Sequence, residues 1–158
     1  MIEVYSKNEL ELIAKNQKNT MTLAIALPSI AFVLAVVFCF LADTDTLSIF
    51  KAIGSTISVL SAWICVFCVF NRLPKLRNNA SHINIMLSGQ RICVSCRVLK
   101  IDEPKTIAEN RLAYEVYVDD GNSAFYFEAK SGGIPFSNGD FIDIVTVNNY
   151  IVAYEVKK

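Results

Sequence analysis

Five cysteines, one histidine and a set of turn carboxylates are the groups in this chain able to bind a metal, pass electrons or move a proton. Cys65 and Cys68 form one C-x-x-C pair and Cys93 and Cys96 another, the spacing of metal and thiol-redox motifs. Cys65 and Cys68 fall on one helix face, but among apolar residues with no His, Asp or Glu close by in sequence. Cys93 and Cys96 lie in an alternating run, where residues three apart point to opposite faces. That geometry suits chelation poorly unless a bulge intervenes. Both pairs read as small packing residues. Disulfides are not expected, because three of the five lie in apolar runs and the other two fall on the reducing side of the topology derived below.

His82 has no nucleophile or carboxylate beside it in sequence and reads as a satisfied structural residue. Asp102, Glu103, Asp119, Asp120 and Asp140 fall at turns, where solvation is the default. Asp143 differs, because it sits inside an apolar strand, facing solvent or an interface. Ser131-Gly-Gly-Ile-Pro135 lacks the Gly-Lys-Ser/Thr ending of a phosphate loop. The expectation is a chain with no catalytic, cofactor-binding or metal-ligating residues and no small-molecule substrate, so not an enzyme.

What organises these residues is a hairpin of two apolar runs. Asn19 to Ala42 is a run of 24 residues without a charge, and Ala52 to Asn71 a second of 20. As a helix the first spans roughly 36 Å, against about 30 Å for a hydrocarbon core. In lipid every backbone polar group must pair within its own segment, so both runs are predicted helices. The first is too long for the apolar part of a signal peptide, and a second span follows it. Pro28 removes a donor in the early turns of the first span and predicts a kink.

Lys7, Lys15 and Lys18 precede the first run, and Arg72, Lys75 and Arg77 follow the second. The short acidic loop Asp43–Lys51 carries a single Lys. The positive-inside rule therefore places both termini in the cytoplasm and the loop outside, in an integral protein of the cell membrane. Neither run contains an Asp, Glu, Arg, Lys or His, which argues against one copy acting as a transporter. Gly54, Ser58, Ser61, Cys65 and Cys68 recur at steps of four, three, four and three. That pattern places small residues on one face, where helix backbones can approach closely. It predicts a helix-packing interface, either with the chain's own first span or with an oligomer or another membrane protein. Ile53, Ile57, Leu60, Trp63 and Phe67 belong to other faces.

Before the hairpin, residues 1–18 form an N-terminal amphipathic helix. Ser6 and Glu9 make a capping box and Tyr5 and Leu10 a hydrophobic staple, so the helix begins at Lys7. It lies on the membrane, docks on the C-terminal domain, or extends the first span. After the hairpin, Pro74 is a predicted helix stop, and residues 72–88 form a juxtamembrane linker in which His82–Leu87 is a helical turn or an edge strand.

From Gly89 the pattern changes to a period of two. Arg91–Val98, Arg111–Asp119, Ser123–Ala129, Phe141–Val147 and Tyr150–Val156 are predicted strands. Polar residues 102–110 form a loop, Asp120-Gly121 marks a hairpin turn, and Asn148-Asn149 makes a tight turn. Phe141–Val147 is nearly all apolar and therefore central. Five short strands within residues 89–158 read as a small antiparallel barrel, OB-like or SH3-like. Residues 79–158 hold 8 Lys/Arg against 10 Asp/Glu, net −2, which disfavours nucleic acid as a partner. The fold class is thus an α+β membrane protein, with a transmembrane helical hairpin (19–71) followed by a cytoplasmic five-stranded β-barrel (89–158).

Asn138-Gly-Asp-Phe-Ile-Asp-Ile-Val-Thr-Val-Asn-Asn-Tyr-Ile-Val-Ala153 is similar to the Gly-acidic-x-V-x-V, turn, L-x-V ending of NfeD-type membrane proteins. The layout of two spans, a short basic linker and a terminal barrel resembles theirs too, whereas their early Gly-rich and Pro-Gly barrel segment has no counterpart here. The resemblance implies a non-enzymatic scaffold or adaptor that partners other membrane proteins. Membrane lipids and a homo-oligomer or another membrane protein are the expected partners. The alternative is an accessory subunit of a membrane channel or transporter.

Overall fold

Helix α1 starts where the capping box places it. In the computed structural model, which describes residues 1–41, 47–107, 111–119, 124–128 and 133–157, α1 spans Lys7–Leu41. The Ser6 amide donates to Glu9 Oε2 at 3.4 Å, and the Glu9 amide donates to Ser6 Oγ at 3.3 Å. These reciprocal bonds satisfy two donors that a helix start otherwise leaves open. The N-terminal helix therefore extends the first span as one element. It passes through Pro28, whose ring nitrogen has no proton to give the Ala24 carbonyl.

The second helical run corrects the linker expected at 72–88. Helix α2 covers Leu47–Phe67, a π-helical turn covers Cys68–Arg72, and α3 covers Leu73–Ser88. His82–Leu87 is thus helical. Pro74 does not end the helix, for a local reason. In an uninterrupted α-helix its ring would press on the carbonyl four residues earlier, and that carbonyl would lose its donor. Widening the preceding turn avoids the clash: the Leu73 amide donates five residues back, to the Cys68 carbonyl. Two helices result that are long and apolar enough to cross a membrane. The acidic loop at 42–46 and the Asp120-Gly121 turn lie outside the described residues.

The chain divides into two compact units, residues 12–79 and residues 1–11 with 80–158. The second holds a closed five-stranded barrel made of β2 (Ile92–Ile101), β4 (Arg111–Val118), β5 (Ala124–Glu128), β6 (Phe141–Val147) and β7 (Tyr150–Lys157). Around the barrel the order is β2-β4-β5-β7-β6, and β6 pairs β2 to close it. Every ladder is antiparallel except β5–β7, which is parallel through Tyr126 and Tyr150, so the all-antiparallel expectation is corrected at this one contact. Two short strands were not legible as such. β1 (Ile2–Glu3) pairs β7, and β3 (Lys105–Ile107) pairs β4 within the stretch expected to be loop. At the β6–β7 hairpin, Asn148 and Asn149 have φ of 48° and 65°, the left-handed pair that a two-residue turn requires.

Alternation sorts the side chains into two cores. Inside the barrel lie Cys96, Val98, Val116, Val118, Phe125, Phe127, Phe136, Ile142, Ile144 and Ile151. The outer face of β6 and β7 carries a second cluster, Val145, Val147, Val152 and Ala153, covered by Tyr5 and Met86. The central position expected for Phe141–Val147 follows from this burial on both faces. Leu112, at the start of β4, is exposed, while Tyr114, Val116 and Val118 on the same strand face pack in the barrel and Ala113 is buried on the other face. Gly89, just past α3, is held close to β6. A Cβ there would collide with Val147 Cγ1 and sit 2.8 Å from the Ile85 carbonyl, which leaves no room for a side chain.

Candidate functional site

The small-residue face of α2 packs within the chain's own hairpin. Ser61 and Cys68 are buried, and Gly54 and Cys65 half-buried. The matching stripe on α1 is Thr20, Ala24 and Ala31, all buried, with half-buried Ala35 and Phe38. A Cβ on Gly54 would lie 3.9 Å from Phe38 Cδ2, and the Phe38 and Phe50 rings meet at 5.5 Å. Ser58, expected on the same face, does not join this packing within the single chain. It is exposed, and the neighbouring Ile57 is half-buried. The Ser58 hydroxyl donates to the Gly54 carbonyl at 2.8 Å, so it leaves no open donor on the outer face. Thr56 and Ser61 do the same to Ala52 and Ser58.

This asymmetry gives a paired test. Gly54→Leu drives a branched side chain into Phe38 and is expected to destabilise the hairpin by about 1–3 kcal/mol. Ser58→Leu points outward and is expected to leave the melting temperature in detergent within experimental scatter. Equal destabilisation by the two would contradict the seam.

A second convergence was not legible from spacing. Tyr5 is 2% exposed, its hydroxyl lies 3.5 Å from His82 Nε2, and the two rings meet edge to face at 5.8 Å. On its other side His82 meets Tyr150 at 5.1 Å, and Tyr150 meets Tyr126 at 5.5 Å. Burial first, and then the carboxylate of Glu128, push the Tyr5 phenol far above its ordinary range, against the opposing pull of Arg111. The phenol is therefore a neutral hydrogen-bonding group at any physiological pH. Its ring closes over Val145, Val147 and Met86. The cluster ties the N-terminal segment, α3 and the strand ends of the barrel together, and His82 serves there as a packed structural group.

The carboxylates take basic or amide partners at different places on the barrel. Asp102 takes Lys100 at 2.7 Å and Lys105 at 3.7 Å, and Lys105 reaches Glu115 at 3.2 Å. The hydrogen bond from Lys100 holds the Asp102 carboxyl below its usual range. Asp119 accepts from the Arg97 amide, and Asp140 from the Ser137 amide, each at 2.8 Å. Glu103 is exposed, and Asp120 lies outside the described residues. Asp143 faces outward between strands. It accepts from the Ser95 hydroxyl at 2.6 Å and pairs with Lys157 at 2.8 Å.

Lys157 and then Ser95 lower the Asp143 pKa. A carboxyl depressed in the folded state stabilises the fold above its unfolded pKa, and the benefit is lost as pH falls through the folded value. Asp143→Asn is thus expected to lower stability slightly at pH 7 and to flatten the acid limb below about pH 4. Parallel denaturation curves for the two proteins across that limb would refute the assignment.

Cys93 is exposed and Cys96 buried, on opposite strand faces as the spacing requires, and Cys65 and Cys68 share the seam. Among the described residues no group of three His, Cys, Asp or Glu is placed to hold a metal ion. Comparison with protein-family models, with curated proteins and with solved structures finds no match for the chain.

Proposed function

We propose that the chain is an integral membrane scaffold whose helical hairpin anchors it and whose barrel is presented to a protein partner in the cytoplasm. One observation carries the anchoring: the two long helices expose large apolar side chains around their outer faces. Phe32 is 71% exposed, Phe40 86%, Trp63 69% and Phe70 77%. Water penalises apolar patches of that extent, whereas lipid tails solvate them. The self-satisfied hydroxyls of α2 fit the same medium. The Lys/Arg bias at residues 7–18 and 72–77 supports a cytoplasmic location for both termini.

The strand order and the parallel β5–β7 contact favour an OB-type barrel over an SH3-like one. An OB-type barrel is also what the resemblance to NfeD-type proteins implies. Closure leaves few open edges, so a partner would meet side chains. Leu99, Leu112 and Phe141 are exposed apolar groups on the barrel suited to such a contact. An accessory subunit of a channel or transporter is the second reading, favoured by the unpartnered outer faces of both helices.

Affinity purification from detergent-solubilised membranes separates the two. The scaffold reading expects self-association or soluble partners that are lost with Leu99→Asp and Phe141→Asp. Recovery of a large multi-span protein, unaffected by those changes, would favour the subunit.

A further inference from the structure

Within the unit of residues 12–79, a cavity of about 470 Å³ opens between α1 and the π-helical turn with the start of α3. Met21, Val69, Leu73 and Pro74 form its apolar lining, and Gln17, Asn78 and Arg77 its polar lining. These two sets are ordered along the helices. Met21 and Val69 belong to the charge-free runs, whereas Gln17, Arg77 and Asn78 lie beyond their ends. From Val69 to Asn78 the rise is about 13 Å. That carries the cavity from hydrocarbon depth through a headgroup layer some 5–8 Å thick.

We infer that this cavity binds one anionic phospholipid. Its phosphate takes the Arg77 guanidinium and the amides of Gln17 and Asn78, and the upper part of an acyl chain lies along Met21, Val69 and Leu73. The inference rests on the membrane reading above and adds a ligand to it. Guanidinium matches phosphate oxygens with two parallel N–H donors, which an ammonium cannot do. The charge balance selects an anionic lipid over a zwitterionic one. Lys15, Lys18, Arg72, Lys75 and Arg77 crowd this end of the hairpin, and residues 12–41 and 71–79 contain no Asp or Glu. A basic pocket between helices at the cytoplasmic surface is a recurrent setting for anionic headgroups.

The π-helical turn links this site to the sequence. Pro74 forces the widened turn at Cys68–Arg72, and both Val69 and Pro74 line the cavity.

The test uses the full chain, purified in mild detergent and offered equimolar phosphatidylglycerol and phosphatidylcholine, with retained lipid counted by native mass spectrometry. The wild type is expected to keep one phosphatidylglycerol in preference to phosphatidylcholine. Arg77→Ala should weaken that retention by about tenfold, on the scale of one charge-assisted hydrogen bond. Leu73→Trp should abolish it by filling the cavity, whereas Lys75→Ala, which does not line the cavity, should change it little. Equal retention of the two lipids, an unchanged level in both Arg77→Ala and Leu73→Trp, or displacement of the lipid by millimolar inorganic phosphate would overturn the assignment. Failure of the membrane reading looks different: the protein would then stay in solution without detergent.

Discussion

Leu60→Lys is expected to prevent stable integration of the chain into membranes. Leu60 is 59% exposed on α2, near the middle of the second apolar run. In a water-soluble protein, lysine at so exposed a position changes stability by no more than about 0.5 kcal/mol and aids solubility. At the centre of a bilayer it costs about 2.5–3.5 kcal/mol, and losing leucine adds roughly 0.5 more. The sum shifts the insertion equilibrium by about 100-fold or more, since each 1.4 kcal/mol is tenfold. Leu12→Lys is the control. Leu12 is also 59% exposed but lies outside the uncharged run, beside Lys15. Alkaline carbonate extraction should release the Leu60→Lys protein and leave the Leu12→Lys protein in the membrane. Equal retention of both would count against a bilayer around α2.

The second large effect is expected at Tyr5, which precedes α1. Truncating a buried aromatic costs about 3–5 kcal/mol, a large part of the roughly 5–15 kcal/mol that holds a domain together. Tyr5→Ala removes the ring that covers Val145, Val147 and Met86 and leaves the N-terminal segment to the β1–β7 pairing and its end contacts. It should lower the urea midpoint of the purified protein sharply, with loss of near-ultraviolet circular dichroism from the tyrosine cluster. Tyr5→Phe keeps the ring but strips the hydroxyl facing His82 Nε2 and Glu128, so about 1–3 kcal/mol should go. If Tyr5→Ala melts with the wild type, the cluster does not tie these segments together.

Sequence spacing made much of the fold legible because the deciding interactions are local. Ser6 and Glu9 are three residues apart, and their reciprocal bonds set the start of α1. The Phe125/Phe127 and Cys96/Val98 alternations report directly which strand face meets the barrel interior. Asn148 and Asn149 tolerate the left-handed backbone their turn needs.

Contacts between distant positions have the opposite character. Pro74 reads as a stop in any local window, and only the widened turn before it lets the helix continue to Ser88. The two-residue strand β1 exists because Ile2 and Glu3 meet Tyr154 and Ala153 at the far end of the chain. Tyr5 and His82 are separated by 77 positions, so no spacing rule brings them together. Within the seam, Ser58 and Ile57 flank the same helix face. Residue size alone does not tell that Ile57 is half-buried and Ser58 exposed.

Cys93 offers the most direct test of the two-span topology, because it is an exposed thiol on the barrel while Cys68 and Cys96 are buried. Intact cells expressing the chain are treated with a membrane-impermeant maleimide, and a parallel sample is treated after permeabilisation, with Cys93→Ser marking the specific signal. Cys93 is expected to stay unlabelled in intact cells and to become labelled on permeabilisation, in protein that sediments with membranes. Labelling of Cys93 in intact cells, or recovery of the protein in the soluble fraction, would contradict the two-span topology.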